Sequence, residues 1–180
     1  MKIALRIGAM LVLTLSVMLI VYPALHEAGH MLAGWCAGAI IKGVEVFPLP
    51  HTVLYLSGLS RMNLLATAFG GSLLPLLALA IPGSRHYSLY HIKLTIALIT
   101  LVSSAESLVC GLPGSGCVDD AALVLTYFPD MQSVVWMLSA ALSAGTFLFC
   151  VFTRPVTRIT AFLIGETSIA FAERKVLQKG

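Results

Sequence analysis

Apolar residues run almost unbroken from Ile7 to Ile41, and again over residues 62–81, 94–112 and 132–152. An α-helix rising 1.5 Å per residue needs about 20 residues to cross a hydrocarbon core of ~30 Å, so each of the last three segments has the length of one crossing. The first, over roughly residues 4–40, is longer than a perpendicular crossing. Pro23 removes a backbone donor in its middle, which predicts a kinked or tilted helix. The helical pattern then breaks between Gly43 and Gly58. There Val44, Val46, Phe47, Val53, Leu54, Tyr55 and Leu56 flank Pro48-Leu49-Pro50-His51, which predicts a β-hairpin or re-entrant loop with His51 as a turn residue. Gly70-Gly71 and Pro75 mark packing and kinking points of the second span. Pro82-Gly83-Ser84 ends it, and Arg85, His86, His91 and Lys93 read as a polar loop with both histidines at the interface. Leu112-Pro113-Gly114-Ser115-Gly116 breaks the third span. Residues 156–176, apolar around Glu166, predict either a short fifth span or an interfacial helix.

Composition agrees with that pattern. The 180 residues are 58% hydrophobic and 11% charged, with a mean hydropathy of +0.95, against about 25% charged residues in a soluble domain. The expected fold is an all-α polytopic membrane protein, a single domain over residues 1–180. It has four to five transmembrane helices and a short β-hairpin or re-entrant loop after the first. The net charge of +3 is spread around the apolar segments, which argues for topology signals and against nucleic acid as a partner. With the N-terminus inside and four spans, Lys2, Arg6, Arg85, Lys93, Arg154, Arg158, Arg174, Lys175 and Lys179 fall inside, and only Lys42 and Arg61 outside, as the positive-inside rule requires. Lys2 and Arg6 imitate a signal peptide. The apolar run is too long for one, and no small-x-small cleavage site precedes His26, so cleavage is not expected. Cys36, Cys110, Cys117 and Cys150 lack CxxC spacing and read as packed thiols rather than disulfides or ligands.

The chemistry lies in His26-Glu27-Ala28-Gly29-His30, inside the first apolar run. Ionisable groups at membrane depth are costly and point to function. Four residues apart on a helix, His26 and His30 share a face and can share one metal ion. Glu27, beside the first of them, can act as general base on a water at that metal. The same stripe continues through Gly34 and Gly38, a GxxxG step that predicts close packing of a neighbouring backbone beside the histidines. Asp119 and Asp120 precede an Ala/Leu run. One of them reads as a helix N-cap, which leaves a second carboxylate, the ligand type a two-histidine zinc site lacks. Glu106 is a lone acid near the end of the third span, either a partner to the metal's ligands or facing a water-filled cavity.

A histidine–glutamate turn of this kind in a membrane helix, followed by a proline-then-aspartate element after the third span, resembles the site-2 protease family of intramembrane zinc metalloproteases. The resemblance covers roughly Val12 to Leu125. It implies one zinc ion held by His26, His30 and an aspartate, with Glu27 activating water. Val118-Asp119-Asp120 stands where the family has Leu-Asp-Gly, which favours Asp119 as third ligand, with Asp120 as its competitor. Cys110 stands where the family often has asparagine. The family's membrane-embedded β-hairpin resembles residues 43–58, whose free edge can pair with an extended peptide. Many members place the site near the cytosolic face, whereas the charge count here places it outside.

The implied activity is zinc-dependent hydrolysis of peptide bonds within or next to a transmembrane segment of a membrane protein substrate, with the lipid bilayer as surroundings. Any regulation then comes from a membrane partner or from the substrate. The rivals are a catalytically inactive regulatory relative, a membrane metal-ion carrier and a prenyl-protein endopeptidase. The first should have lost Glu27 or a histidine. A carrier should line successive spans with polar residues, of which spans two and four carry almost none. The last would use Glu106 as a ligand.

Overall fold

The computed structural model describes residues 2–45, 51–55, 58–81, 87–112, 119–153 and 155–164. The Pro48-Leu49-Pro50 turn, the loop holding Arg85 and His86, the break at residues 113–118 with Cys117, and Glu166 lie outside these. Helix α1 (Lys2–Ser16) runs through a π-helical stretch (Val17–Val21) into α2 (Tyr22–Cys36). Ile3–Cys36 is thus one 34-residue helical rod. The expected disturbance at Pro23 takes the form of this widened turn. Proline has no N–H for the Leu19 carbonyl and its ring crowds that carbonyl, and the Tyr22 N–H reaches back five residues to the Val17 carbonyl instead. Such π turns insert where the regular ladder is broken.

Helix α2 stops at Cys36, short of the predicted end. Gly38 adopts φ +85°, the left-handed conformation glycine takes without penalty. The Gly38 N–H donates to the Trp35 carbonyl (3.1 Å) and the Ala39 N–H to that of Gly34 (2.8 Å), closing the helix end. Gly38 therefore terminates the helix and does not lie on the histidine stripe. Strands β1 (Ile40–Glu45) and β2 (His51–Tyr55) follow as an antiparallel pair, with Ile41 opposite Leu54, Gly43 opposite Val53 and a register irregularity between Ile41 and Gly43. His51 is a strand residue, not a turn residue. It sits opposite Glu45, its Nε2 3.2 Å from the Glu45 Oε2.

Helix α3 (Arg61–Ala80) starts at Ser60, whose hydroxyl accepts from the Asn63 N–H, and the Asn63 amide donates to the Ala37 carbonyl, tying the start of α3 to the end of α2. Helix α4 (Tyr87–Cys110) begins seven residues before the predicted span. His91 and Lys93 are accordingly buried helix residues rather than loop residues. The Lys93 ammonium caps the last carbonyls of α3, at Leu79 and Ile81, which is why its charge is tolerated inside. Helix α5 (Asp120–Tyr127), a 3₁₀ turn (Pro129–Met131), α6 (Gln132–Phe152) and α7 (Pro155–Ile164) complete the described chain. The ten residues of α7 rise about 15 Å, half a crossing.

Among the described residues, four helices are long and apolar enough to cross a membrane: Ile3–Cys36, Arg61–Ala80, Tyr87–Cys110 and Pro129–Phe152. One core joins Leu64, Leu65, Ala68 and Phe69 of α3 to Ala121 and Val124 of α5 and Val135 of α6. A second joins Val17 and Tyr22 to Leu79, Ile96 and Ala97. Helices α2 and α3 cross backbone to backbone. A Cβ on Gly29 would collide with the Gly70 carbonyl, and one on Gly70 would lie 2.7 Å from the Gly29 oxygen. The close approach expected beside the histidines is thus made by Gly29 and Gly70. Gly34 contributes a tight contact to Leu54 and Thr67.

Candidate metal centre

The crossing of α2 over α3 orients the two histidines. One turn apart on α2, they face α3, where the Thr67 carbonyl lies 2.8 Å from His30 Nδ1. A carbonyl can only accept, so Nδ1 carries the proton and a neutral His30 presents the Nε2 lone pair. That Nε2 stands 3.0 Å from the Nε2 of His26, with the rings edge to face. Tyr22 stacks on the far side of His26. Gly71 lets the backbone of α3 press against both rings. Any Cβ there would run into His30 Nε2 and come within 2.7 Å of His26 Cε1.

The carboxylate facing this pair belongs to Asp120. Its Oδ2 lies 3.1 Å from His30 Nε2 and 3.4 Å from His26 Nε2. The preference for Asp119 gives way for a local reason. Asp119 is the N-cap of α5, its Oδ1 accepting from the Ala122 N–H (2.7 Å), while its Oδ2 accepts from the Ser107 hydroxyl (2.7 Å). Both oxygens are engaged, and the next residue is the one turned toward the imidazoles.

Glu27 comes from the same helical turn. The Thr52 N–H of β2 donates to its Oε2 at 2.6 Å, and the Thr52 hydroxyl donates to its backbone carbonyl at 3.4 Å. The hairpin edge facing the site therefore holds the glutamate in place. His26, Glu27 and His30 each offer a ligand atom within 4.8 Å of the others, a group able to hold a metal ion.

The donor set fits such an ion. Around a tetrahedral centre with bonds of ~2.0–2.1 Å, ligand atoms stand about 3.3 Å apart, and the three edges here are 3.0, 3.1 and 3.4 Å. His26 Nδ1 is buried without a hydrogen-bond partner among the described residues. Glu106 is not part of this triangle and lines a cavity beside it.

Two cavities meet at the histidine pair. On the hairpin side a cleft of about 250 Å³ runs between β2 and α5, past Glu27, Thr52, Leu54, Leu64 and Leu123. It continues past Leu54 and Leu64 into a cavity of about 520 Å³ reaching Tyr127 and Phe128. A second, polar cavity of about 230 Å³ shares His26, Ala68 and Asp120 with the first and is lined by serines of α3, α4 and α6. Spans two and four each give this space a single polar side chain, Ser72 and Ser139, in keeping with their expected sparse polar lining. Sequence reasoning did not single out Thr52, Thr67 or these serines. Ser103, Ser104 and Ser107 at helical spacing were the available signal. Compared with known proteins, the chain matches no family model, no curated protein and no solved structure.

Proposed function

We propose that the chain is a multi-pass intramembrane zinc metalloendopeptidase that cleaves within or next to a transmembrane segment of a protein substrate. The observation that carries this reading is the triangle of lone-pair atoms from His26, His30 and Asp120 with the Glu27 carboxylate beside it. Two imidazoles and a carboxylate packed this closely call for a cation between them, and they leave a tetrahedral ion one open position. Asp120 rather than Glu106 beside the histidines favours the site-2 protease-like arrangement over the prenyl-protein one. The bilayer is supported by the four long apolar helices and by apolar side chains more than half exposed on their outer faces, such as Leu5, Val12, Val102 and Phe152.

His26, His30 and Asp120 would hold the zinc ion. Bound there, it acts as a Lewis acid that acidifies water and polarises a peptide carbonyl. Glu27, aimed by the Thr52 N–H, would take a proton from the attacking water and return it to the leaving amine. Thr67 fixes the His30 tautomer. The substrate must be extended, because a helical carbonyl is already hydrogen-bonded and shielded. In β2 the Thr52 carbonyl and the Leu54 N–H point to the same edge as the Thr52 N–H, so an extended peptide can pair beside Glu27 without displacing it.

The serine-lined cavity supplies what a metal carrier would need. Beyond the site, however, the apolar layer of Val17, Tyr22, Leu79, Ile96 and Ala97 closes the bundle, which favours hydrolysis over transport. Glu27→Gln tests the proposal. Cleavage of a single-span membrane peptide by the purified chain should fall about 10²–10⁴-fold, the usual share of a general base, with zinc content retained. Cleavage at the wild-type rate would remove Glu27 from the mechanism.

A further inference from the structure

The polar cavity behind the histidine pair has features that peptide hydrolysis alone does not require. Its volume of about 230 Å³ holds several waters at ~30 Å³ each. Its walls carry hydroxyls from three helices: Ser72 of α3, Ser103 and Ser107 of α4, and Ser139 of α6. Glu106 and Asp119 add two carboxylates, and no lysine or arginine lines it among the described residues. His26 and Asp120 line it as well, so it reaches two of the three proposed ligands. Ser139 is wholly buried in the wall, and its hydroxyl has no hydrogen-bond partner among the described residues. A buried hydroxyl in that state calls for a polar guest.

We propose that this cavity is the path by which the divalent metal ion reaches its site, with Glu106 as the first carboxylate it meets. The inference rests on the metal-site reading above. A hydrated divalent cation gives up water reluctantly, and oxygen ligands along the way replace what it sheds. Carboxylates facing a cleft without a basic side chain raise the local cation concentration and the rate of arrival. Beside the ligands, Glu27 and Thr52, the hairpin-side cleft is walled by Leu54, Leu64, Leu123 and Ala68, which suits a peptide. Metal and substrate then approach through two cavities that share His26, Ala68 and Asp120. Glu106 forms no ion pair with either imidazole among the described residues, so it acts on passage and leaves the final coordination alone. Loading and release therefore change together, and affinity does not.

The test uses the full chain in lipid nanodiscs. Zinc stoichiometry of the wild-type protein comes first, and a chain that retains no zinc overturns the metal site itself. Given bound zinc, its exchange with radioactive zinc and its release to excess chelator are followed in Glu106→Gln and in Ser139→Val, which replaces the orphaned hydroxyl with a larger apolar side chain. Both rates should fall at least fivefold in Glu106→Gln and at least twofold in Ser139→Val, with equilibrium affinity within about twofold of wild type and with Glu106→Asp restoring most of the exchange rate. Wild-type rates in both variants overturn the loading path while leaving the metal site intact. A fall in affinity without slower exchange also overturns it, and makes Glu106 a ligand. Should Glu106→Gln fail to fold, Ser139→Val and the salt dependence of wild-type exchange decide: slowing by added salt supports the carboxylate-guided path, and its absence overturns it.

Discussion

His30 and His91 are equally buried, at 8% and 7% exposure, and both sit on long apolar helices, yet their second ring nitrogens meet opposite surroundings. His91 Nε2 lies 2.8 Å from the Thr14 hydroxyl and its Nδ1 3.4 Å from the Tyr87 hydroxyl. A hydroxyl can donate or accept, so either tautomer of His91 is satisfied by neutral partners. Tyr87 also stacks on His91 and on Phe162, which binds α1, α4 and α7 together. His30 spends one nitrogen on the Thr67 carbonyl and points the other at an imidazole and a carboxylate. Burial does not separate a structural histidine from a candidate ligand. What faces the second nitrogen does.

The largest test of that contrast is Asp120→Ala. Loss of a group that hydrogen-bonds a metal ligand typically costs 10–100-fold in affinity, so loss of the carboxylate facing both imidazoles should cost at least a hundredfold, about 3 kcal/mol. Competition with a zinc chelator measures it, and unchanged affinity would dissolve the triangle as a metal site. Asp119 provides the control one residue away. Asp119→Asn keeps a good N-cap and should leave zinc affinity within about threefold of wild type. Asp119→Ala, which strips the Ala122 N–H of its acceptor, should cost about 1 kcal/mol of stability in a denaturation midpoint. A zinc-free Asp119→Asn protein would return the ligand role to Asp119.

That pair of aspartates also marks where the sequence stops being legible. The histidine turn could be read because its signal is local, two imidazoles four residues apart around a glutamate. The hairpin was visible in its β-branched runs, although its first strand begins at Ile40 and His51 pairs with Glu45 across it. The choice between Asp119 and Asp120 depends on a single backbone fact, which residue caps α5. Capping consumes one carboxylate and frees the next, and the match to Leu-Asp-Gly weighed the other way. Gly71 was recognisable as a packing glycine, but what packs on it comes from a helix 41 residues earlier, and no local pattern carries that. His91 and Lys93 were misplaced in a loop because polar residues near a span end usually lie outside it. Here Thr14, Tyr87 and the free carbonyls at the end of α3 compensate them, and none of those partners is near in sequence except Tyr87.

The smallest effect should come from His91→Leu. Interhelical hydrogen bonds in membranes average only about 0.6 kcal/mol, since the unfolded reference state also finds partners. Thr14 can turn its hydroxyl back to a carbonyl one turn earlier, and Tyr87 keeps its stacking contact with Phe162. The loss should therefore be about 0.6–1 kcal/mol, read as a modest fall in the detergent unfolding midpoint, with zinc affinity and peptide cleavage at wild-type values. Thr14 lies on the same continuous rod as His26, separated from it by the π-helical stretch, which makes this substitution a sensitive probe of coupling between the two ends. If zinc affinity dropped tenfold or more in His91→Leu, the rod would be transmitting the register of α1 to the metal triangle, and the two histidine environments would be one system rather than two.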